Sequence, residues 1–447
     1  MPLFSKQTEK EIEPQILNIK ESADFIASYM VEAANPEWID LFESAKSGLK
    51  SDYNKCLDII ADILVAQKIT VIDYDNYEAA RKIFSYCYGL KELDDYINDE
   101  DIDEIRITPN GKVRIVRQGQ TQGTELYYSD LEVATLINRL KPIADVGVSL
   151  DEGNPTMELV RPDGLRLSAL CKPVTQGYCF ALRKHGNFSL SLETFISRET
   201  LDQKVGELLK LIVKGRRNIL ICGGTNSGKT TLLKWLAMQL APYLSICVLE
   251  TDNELRLANQ CPEREIWELE AHPERDADME KLFEKVLRIT PNVILIPEFR
   301  GKGEVWAAIE ACTRGHDGSM ATAHFSSFAS PEEAIRNTAM LAIQEKNNIP
   351  IELVIERVAQ AFQIVIQTHW DALSGIRKVT SITEVIVNNG QIQYNPLVAW
   401  EPFTENYTGE GRWRLLNHPS EACLNAMKIY GVTEREIKEV WGDAFDL

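Results

Sequence analysis

Three rhythms of apolar and polar positions divide this chain. Up to about residue 88 apolar residues recur every three or four positions, at Cys56, Ile59, Ile60, Ile63 and Leu64 and again at Ala80, Ile83, Phe84 and Cys87, which predicts amphipathic helices. From Asp94 to about His185 the period shortens to two. Ile105-Arg106-Ile107 and Val113-Arg114-Ile115-Val116-Arg117 alternate on either side of Pro109-Asn110-Gly111, a hairpin signal. Leu165-Arg166-Leu167 and Phe180-Ala181-Leu182-Arg183 add strands, with Asp163-Gly164 as a further turn, so this stretch reads as mixed α/β. The small, polar run from Gly186 to Leu192 reads as a hinge. Beyond it, short apolar runs at Asn218–Cys222, Ser245–Leu249 and Val293–Ile296 alternate with helical stretches such as Ala277–Arg288. Such runs predict fully buried strands of a doubly wound, mostly parallel sheet, whose chemistry collects at the strands' carboxyl ends. Four segments follow: a helical 1–88, a mixed α/β 89–188, a doubly wound α/β 189–399, and an extension 400–447. In the last, Thr433 and Glu436 form a capping box before a final amphipathic helix.

Composition narrows the function. The 447 residues carry 44% hydrophobic and 26% charged side chains, values of a folded, multidomain chain. Lys and Arg number 48 against 67 Asp and Glu, a formal charge of −19 that repels phosphate backbones and weighs against direct nucleic-acid binding. No apolar run reaches the roughly 20 residues of a membrane span, and MPLFSKQTEKEIEPQ has no signal-peptide core, so lipid insertion is not expected and a cytoplasmic placement is. The nine cysteines are scattered without a CxxC pair, which suggests reduced core residues rather than disulfides or a zinc knuckle.

The chemistry is concentrated after residue 217. Gly223–Thr230 reads GGTNSGKT, the full phosphate-loop pattern, set between an apolar run and a helical one as that loop requires. The predicted nucleotide-binding set is Gly223, Gly224, Thr225, Asn226, Ser227, Gly228, Lys229, Thr230 and Thr231. Its backbone N–H groups cradle phosphate, Lys229 supplies a charge, and the Thr230 hydroxyl is suited to Mg²⁺. Glu250, Glu254 and Glu298 lie at or just beyond strand ends, where a carboxylate can orient water or support a metal. His324 ends a short alternating run after the glycines of Arg314–Ser319. No NKxD or TKxD segment is present to read guanine, so ATP is the expected nucleotide.

In order along the chain, GGTNSGKTT, LETDNEL (Leu249–Leu255), PEFRG (Pro297–Gly301) and GHDGSMATAH (Gly315–His324) resemble the Walker A, Asp-box, Walker B and His-box elements of the type II/type IV secretion ATPase superfamily. The likeness is greatest to the tight-adherence pilus ATPases and related conjugation ATPases. Upstream, DDYINDEDIDEIRITPNGKVRIVRQG, RPDGLRLSAL and FALRK are similar to that family's nucleotide-facing domain, so the resemblance spans roughly residues 90 to 390.

The resemblance implies a RecA-like P-loop domain preceded by a smaller mixed α/β domain, working as a hexameric, Mg²⁺-dependent ATPase. It also implies attachment to the inner face of a membrane through a platform protein of a secretion or pilus system. Carried over by position, Thr230 and Glu298 would bind the metal. Glu250 or Glu254 would polarise water, and Arg300, in the Walker B segment, would belong to the catalytic set. His324 would sense the γ-phosphate, and Arg161, Arg166 and Arg183 would stabilise the transition state. The chain departs from the family pattern at Thr251, where Asp is usual, at Pro297, where Gly is usual, and at VSLD (Val148–Asp151), where a basic pair is usual. A DNA-transfer motor and a weakly hydrolysing, ATP-gated adaptor stay open beside the secretion or pilus motor.

Overall fold

A computed structural model describes residues 13–46, 50–99, 101–117, 119–141, 149–161, 164–184, 190–251, 253–299, 303–326, 329–345, 349–372, 374–405 and 409–442. The chain forms two compact units, residues 1–188 and 189–447.

The first unit begins with β1 (Gln15–Leu17), α1 (Ile19–Ala33), α2 (Pro36–Lys46), α3 (Lys50–Ala66), β2 (Ile69–Val71) and α4 (Asn76–Cys87). The helical periodicity is real: Cys56, Leu57, Ile60, Ile63 and Leu64 of α3 meet Ala79, Ala80, Ile83 and Phe84 of α4 in one core. Asn18 and Glu21 close a capping box on α1, and Asp75 caps α4. The parallel pair β1–β2 was not legible, because three residues per strand show no alternation. Next come α5 (Leu93–Asn98), β3 (Ile102–Ile107), β4 (Lys112–Arg117), β5 (Gln120–Tyr127), α6 (Asp130–Leu140), β6 (Thr156–Val160), β7 (Arg166–Leu170) and β8 (Cys179–Arg183). The strands form an antiparallel sheet in the order β5-β4-β3-β8-β7-β6, packed on α6 through Val133, Leu136, Ile137 and Leu140. The β3–β4 turn contains Gly111 at φ 78°, a conformation that excludes most side chains.

The second unit runs α7 (Leu192–Ser197), α8 (Gln203–Lys214), β9 (Ile219–Gly223), α9 (Lys229–Met238), β10 (Ile246–Glu250), β11 (Ile266–Glu270), α10 (Met279–Ile289), β12 (Val293–Ile296), α11 (Glu304–Thr313), β13 (Met320–His324), α12 (Pro331–Glu345), α13 (Ile351–Ala361), β14 (Ile364–Trp370), β15 (Arg377–Asn388), β16 (Gln391–Pro402), β17 (Gly411–Leu415), α14 (Glu421–Ile429) and α15 (Glu434–Trp441). One sheet of nine strands has the order β11-β10-β12-β13-β9-β14-β15-β16-β17. It is parallel from β11 to β14 and antiparallel from there to β17. Both faces are covered, so the strand period of two sends Ile219 and Ile221 into one core with α8, α9, α14 and α15, and Leu220 and Cys222 into another with α10 to α13. This is the doubly wound RecA-like P-loop architecture, preceded by the smaller α/β sheet and the N-terminal helices. β9 lies between β13 and β14, and the chain leaves it for β10 beyond two intervening strands. That reversal of strand order opens a crevice at the carboxyl ends. The cysteines are all unpaired thiols, and eight of the nine are buried.

Candidate functional site

The phosphate loop is built by its neighbours as well as by its own residues. β9 ends at Gly223, and α9 starts at Lys229 with Gly228 as its N-cap, φ 88° and no side-chain cap. The first turn of α9 therefore presents backbone N–H groups that no capping side chain takes, at the positive end of a helix dipole. Asn226 is also left-handed, at φ 62°. A Cβ on Gly223 would lie 2.4 Å from the carbonyl oxygen of Thr368, so the close approach of β9 and β14 requires glycine there. These features fit a polyphosphate: a concave backbone, an uncapped helix start and a nearly buried ammonium.

Lys229 is only 5% exposed. Its Nζ donates to the carbonyls of Gly223 at 3.0 Å and Gly224 at 2.8 Å, and lies 3.1 Å from His324 Nδ1. The other ring nitrogen of His324 meets Glu298 Oε1. An ammonium can only donate, so Nδ1 accepts and Nε2 carries the proton given to the carboxylate. Lys229, His324 and Glu298 thus form one continuous chain from the loop after β9, through the end of β13, to the segment after β12. The parallel register that pairs His324 with Gly223 sets it up. Pro297 lacks an N–H, yet its carbonyl is used, accepting the hydroxyl of buried Thr322 on β13.

Glu250 ends β10 at 5% exposure. Its Oε2 accepts the N–H groups of Glu254 at 3.0 Å and Leu255 at 3.2 Å, while Oε1 is buried without a hydrogen-bond partner among the described residues. Burial, against the pull of those two N–H groups, pushes its pKa up to about 8. Lys234 on α9 feels both Glu268 and Glu250, but its own pKa is lowered, chiefly by burial. The Glu250 carboxylate thus holds the backbone of Glu254 and Leu255, and Thr251, the residue after the strand, is half-buried.

The three arginines belong to the first unit and lie at one end of its sheet. Arg166 opens β7 and is the register partner of Arg183 at the end of β8, while Arg161 closes the β6–β7 turn, its carbonyl accepting the N–H of Gly164 at 2.8 Å. Glu104 flanks Arg183 on the other side but forks onto Arg106 at 2.7 and 2.8 Å. Arg300, most of the hinge (Gly186 to Ser189), Asp163 of the predicted turn and Val148 lie outside the described residues.

Two residues beside the loop, and one at the far end of β9, escaped sequence reading. Thr368 Oγ1, at the carboxyl end of β14, sits 2.8 Å from Ser227 Oγ. Arg377 Nε donates to the Asn226 carbonyl at 2.7 Å. Asn218, at 1% exposure, bonds to Cys312, Ala361, Gly318 and Ser319, tying β9 to α11, α13 and the approach to β13. The strand-end rule that marked Glu250 would have found Thr368; nothing in the pattern marks Arg377.

The sequence family described as "Type II/IV secretion system protein" matches residues 100–383, more than half of the chain. The conjugal transfer protein TrbB of Rhizobium radiobacter is 24% identical over 269 residues, covering 59% of this chain and 79% of that protein. The type IV secretion system protein PtlH of Bordetella pertussis is 30% identical over 176 residues, 38% of this chain and 51% of PtlH. The chain thus spans most of the first relative and about half of the second. Among solved structures, the Legionella pneumophila ATPase DotB aligns over 78% of this chain and 85% of its own at 14% identity, with a TM-score of 0.47. With the phosphate loop, the acidic strand end at Glu250 and the Glu298 to His324 pair all inside the matched segment, the chain belongs to the type II/IV secretion system protein family.

Proposed function

We propose that the chain is a Mg²⁺-dependent ATPase, a ring-forming motor that drives a membrane secretion, pilus or transfer machine through a protein partner. The observation that supports it most is the chain Lys229–His324–Glu298, which joins the phosphate loop to the carboxyl ends of β13 and β12. Thr230 and Glu298 offer hydroxyl and carboxylate oxygens, the donors a hard cation takes. When bound, Mg²⁺ would neutralise phosphate charge. Lys229 would exchange its loop carbonyls for phosphate oxygens, and His324, released on one side, would report that exchange to Glu298.

Of the two acids after Leu249, Glu250 is the one we place in proton transfer. Burial raises its carboxyl to about 8, so near neutral pH it is mostly protonated and takes up a proton from its ionised fraction, and among the described residues one of its oxygens has no hydrogen-bond partner. Glu254 contributes its backbone N–H to hold Glu250 in place. Arg161, Arg166 and Arg183 cluster as a guanidinium source for spread phosphoryl charge, and a hexameric ring is the assembly in which a neighbour could supply them. The relatives' names speak of conjugal transfer and type IV secretion, while a net charge of −19 favours work on DNA through a partner over direct grip. Among the described residues no helix is long and apolar enough to cross a membrane.

Phosphate release from ATP is the test. Turnover that needs Mg²⁺, stops with EDTA and falls at least about 100-fold in Lys229→Ala supports the motor; nucleotide binding without turnover in the wild type would favour an ATP-gated adaptor.

A further inference from the structure

The geometry points to Arg377 as a positioning residue of the phosphate loop, acting with Thr368 on the neighbouring strand; the inference rests on the nucleotide reading above. Arg377 is the first residue of β15, opposite Trp370 at the end of β14. Its Nε donates to the Asn226 carbonyl at 2.7 Å, and its Cδ lies 3.4 Å from where a Cβ on Gly228 would be. One side chain therefore spans both left-handed residues of the loop, Asn226 at φ 62° and Gly228 at φ 88°.

The peptide joining Asn226 to Ser227 is planar and trans, so its C=O and N–H point in opposite directions. Holding the carbonyl outward against Arg377 turns the Ser227 N–H into the loop, where it meets the Gly224 carbonyl at 3.4 Å. That long bond is readily exchanged for a phosphate oxygen. Without the guanidinium, the peptide is free to rotate, and the N–H loses its aim. Thr368 braces the same turn from β14: its hydroxyl lies 2.8 Å from Ser227 Oγ and donates to the Cys222 carbonyl at 3.2 Å.

Arg377 is itself fixed. The next residue, Lys378, is 1% exposed, with its ammonium 4.0 Å from the centre of the Trp400 ring and 3.3 Å from the Glu199 carbonyl. The N–H of Val379 donates to the Thr200 carbonyl at 2.8 Å. The start of β15 is thus clamped between the β16–β17 pair and the chain following α7, which makes it a rigid support for a loop.

The test is ADP affinity by titration calorimetry on the full chain, with Arg377→Ala, Arg377→Lys and Thr368→Val beside the wild type, and melting without nucleotide as the structural readout. Positioning predicts a Kd about tenfold higher in Arg377→Ala, partial recovery in Arg377→Lys and a smaller loss in Thr368→Val, all with nucleotide-free melting close to wild type. An Arg377→Ala variant that binds ADP like the wild type overturns the positioning role, whether or not its melting falls. A wild type that does not bind ADP overturns the ATPase reading as well.

Discussion

Glu250 illustrates how one residue's surroundings set its chemistry. A strand-end glutamate is ordinarily ionised at neutral pH, but here burial raises the carboxyl from 4.5 to about 8. Between those values the folded chain holds a proton that the unfolded chain has released, so this group's contribution to stability falls as pH rises from about 4.5 towards 8. Glu250→Gln removes the titration. Its stability relative to wild type is expected to grow across that window, by on the order of 3 kcal/mol or more at pH 8; a pH-independent difference in denaturant midpoints would contradict it. Asn218 supplies a second prediction at this scale. Asn218→Ala leaves the Cys312 and Ala361 carbonyls and two N–H groups short of a buried partner, and is expected to cost roughly 2–4 kcal/mol in urea unfolding. The sequence marked Lys229, Glu298 and His324 individually. That they form a single chain depends on the register of β13 against β9, which no local pattern encodes.

Elements were legible where burial is simple. β9, β10 and β12 read as strands because both faces are covered and nearly every side chain is apolar, and β13 by its short alternation. β15 did not, because it buries Lys378, Thr380, Thr383 and Glu384, polar residues that normally signal a surface. Lys378, Thr380 and Glu384 find their partners on other elements. Glu384, for example, accepts from Asn395 on β16 at 3.0 Å and from the N–H of Ser420, the N-cap of α14, at 2.8 Å. The antiparallel strand β15, and with it Arg377, the partner of Asn226, was therefore hidden from sequence. The terminal helices belong to the same core: Cys423, Leu424, Met427, Ile437 and Trp441 are buried against it. A chain ending before α14 is expected to lose several kcal/mol, at about 1.5–3 kcal/mol for each large apolar side chain, and to melt well below the full chain. Unchanged melting after that truncation would assign these helices to a role outside the core.

For the whole molecule, the charge of −19 and the nucleotide site make separable predictions. At about 150 mM salt, duplex DNA is expected to bind weakly or not at all, since few phosphates can be neutralised; salt-dependent, sub-micromolar binding in a mobility-shift assay would instead favour a motor that grips DNA. The overall class was readable because the phosphate loop, the acidic strand ends and the His324 segment occur in a fixed order. The partner and cargo are not written in any such pattern. The central claim, ATP turnover in an assembled ring, is met most directly by measuring phosphate release and particle size together in Mg·ATP, for the wild type and Glu298→Gln. The expected result is turnover and a nucleotide-dependent larger species in the wild type, with the variant still binding ATP and assembling but releasing phosphate at least about 100-fold more slowly. Equal turnover in both proteins, or a wild type that binds ATP and stays monomeric without releasing phosphate, would contradict it.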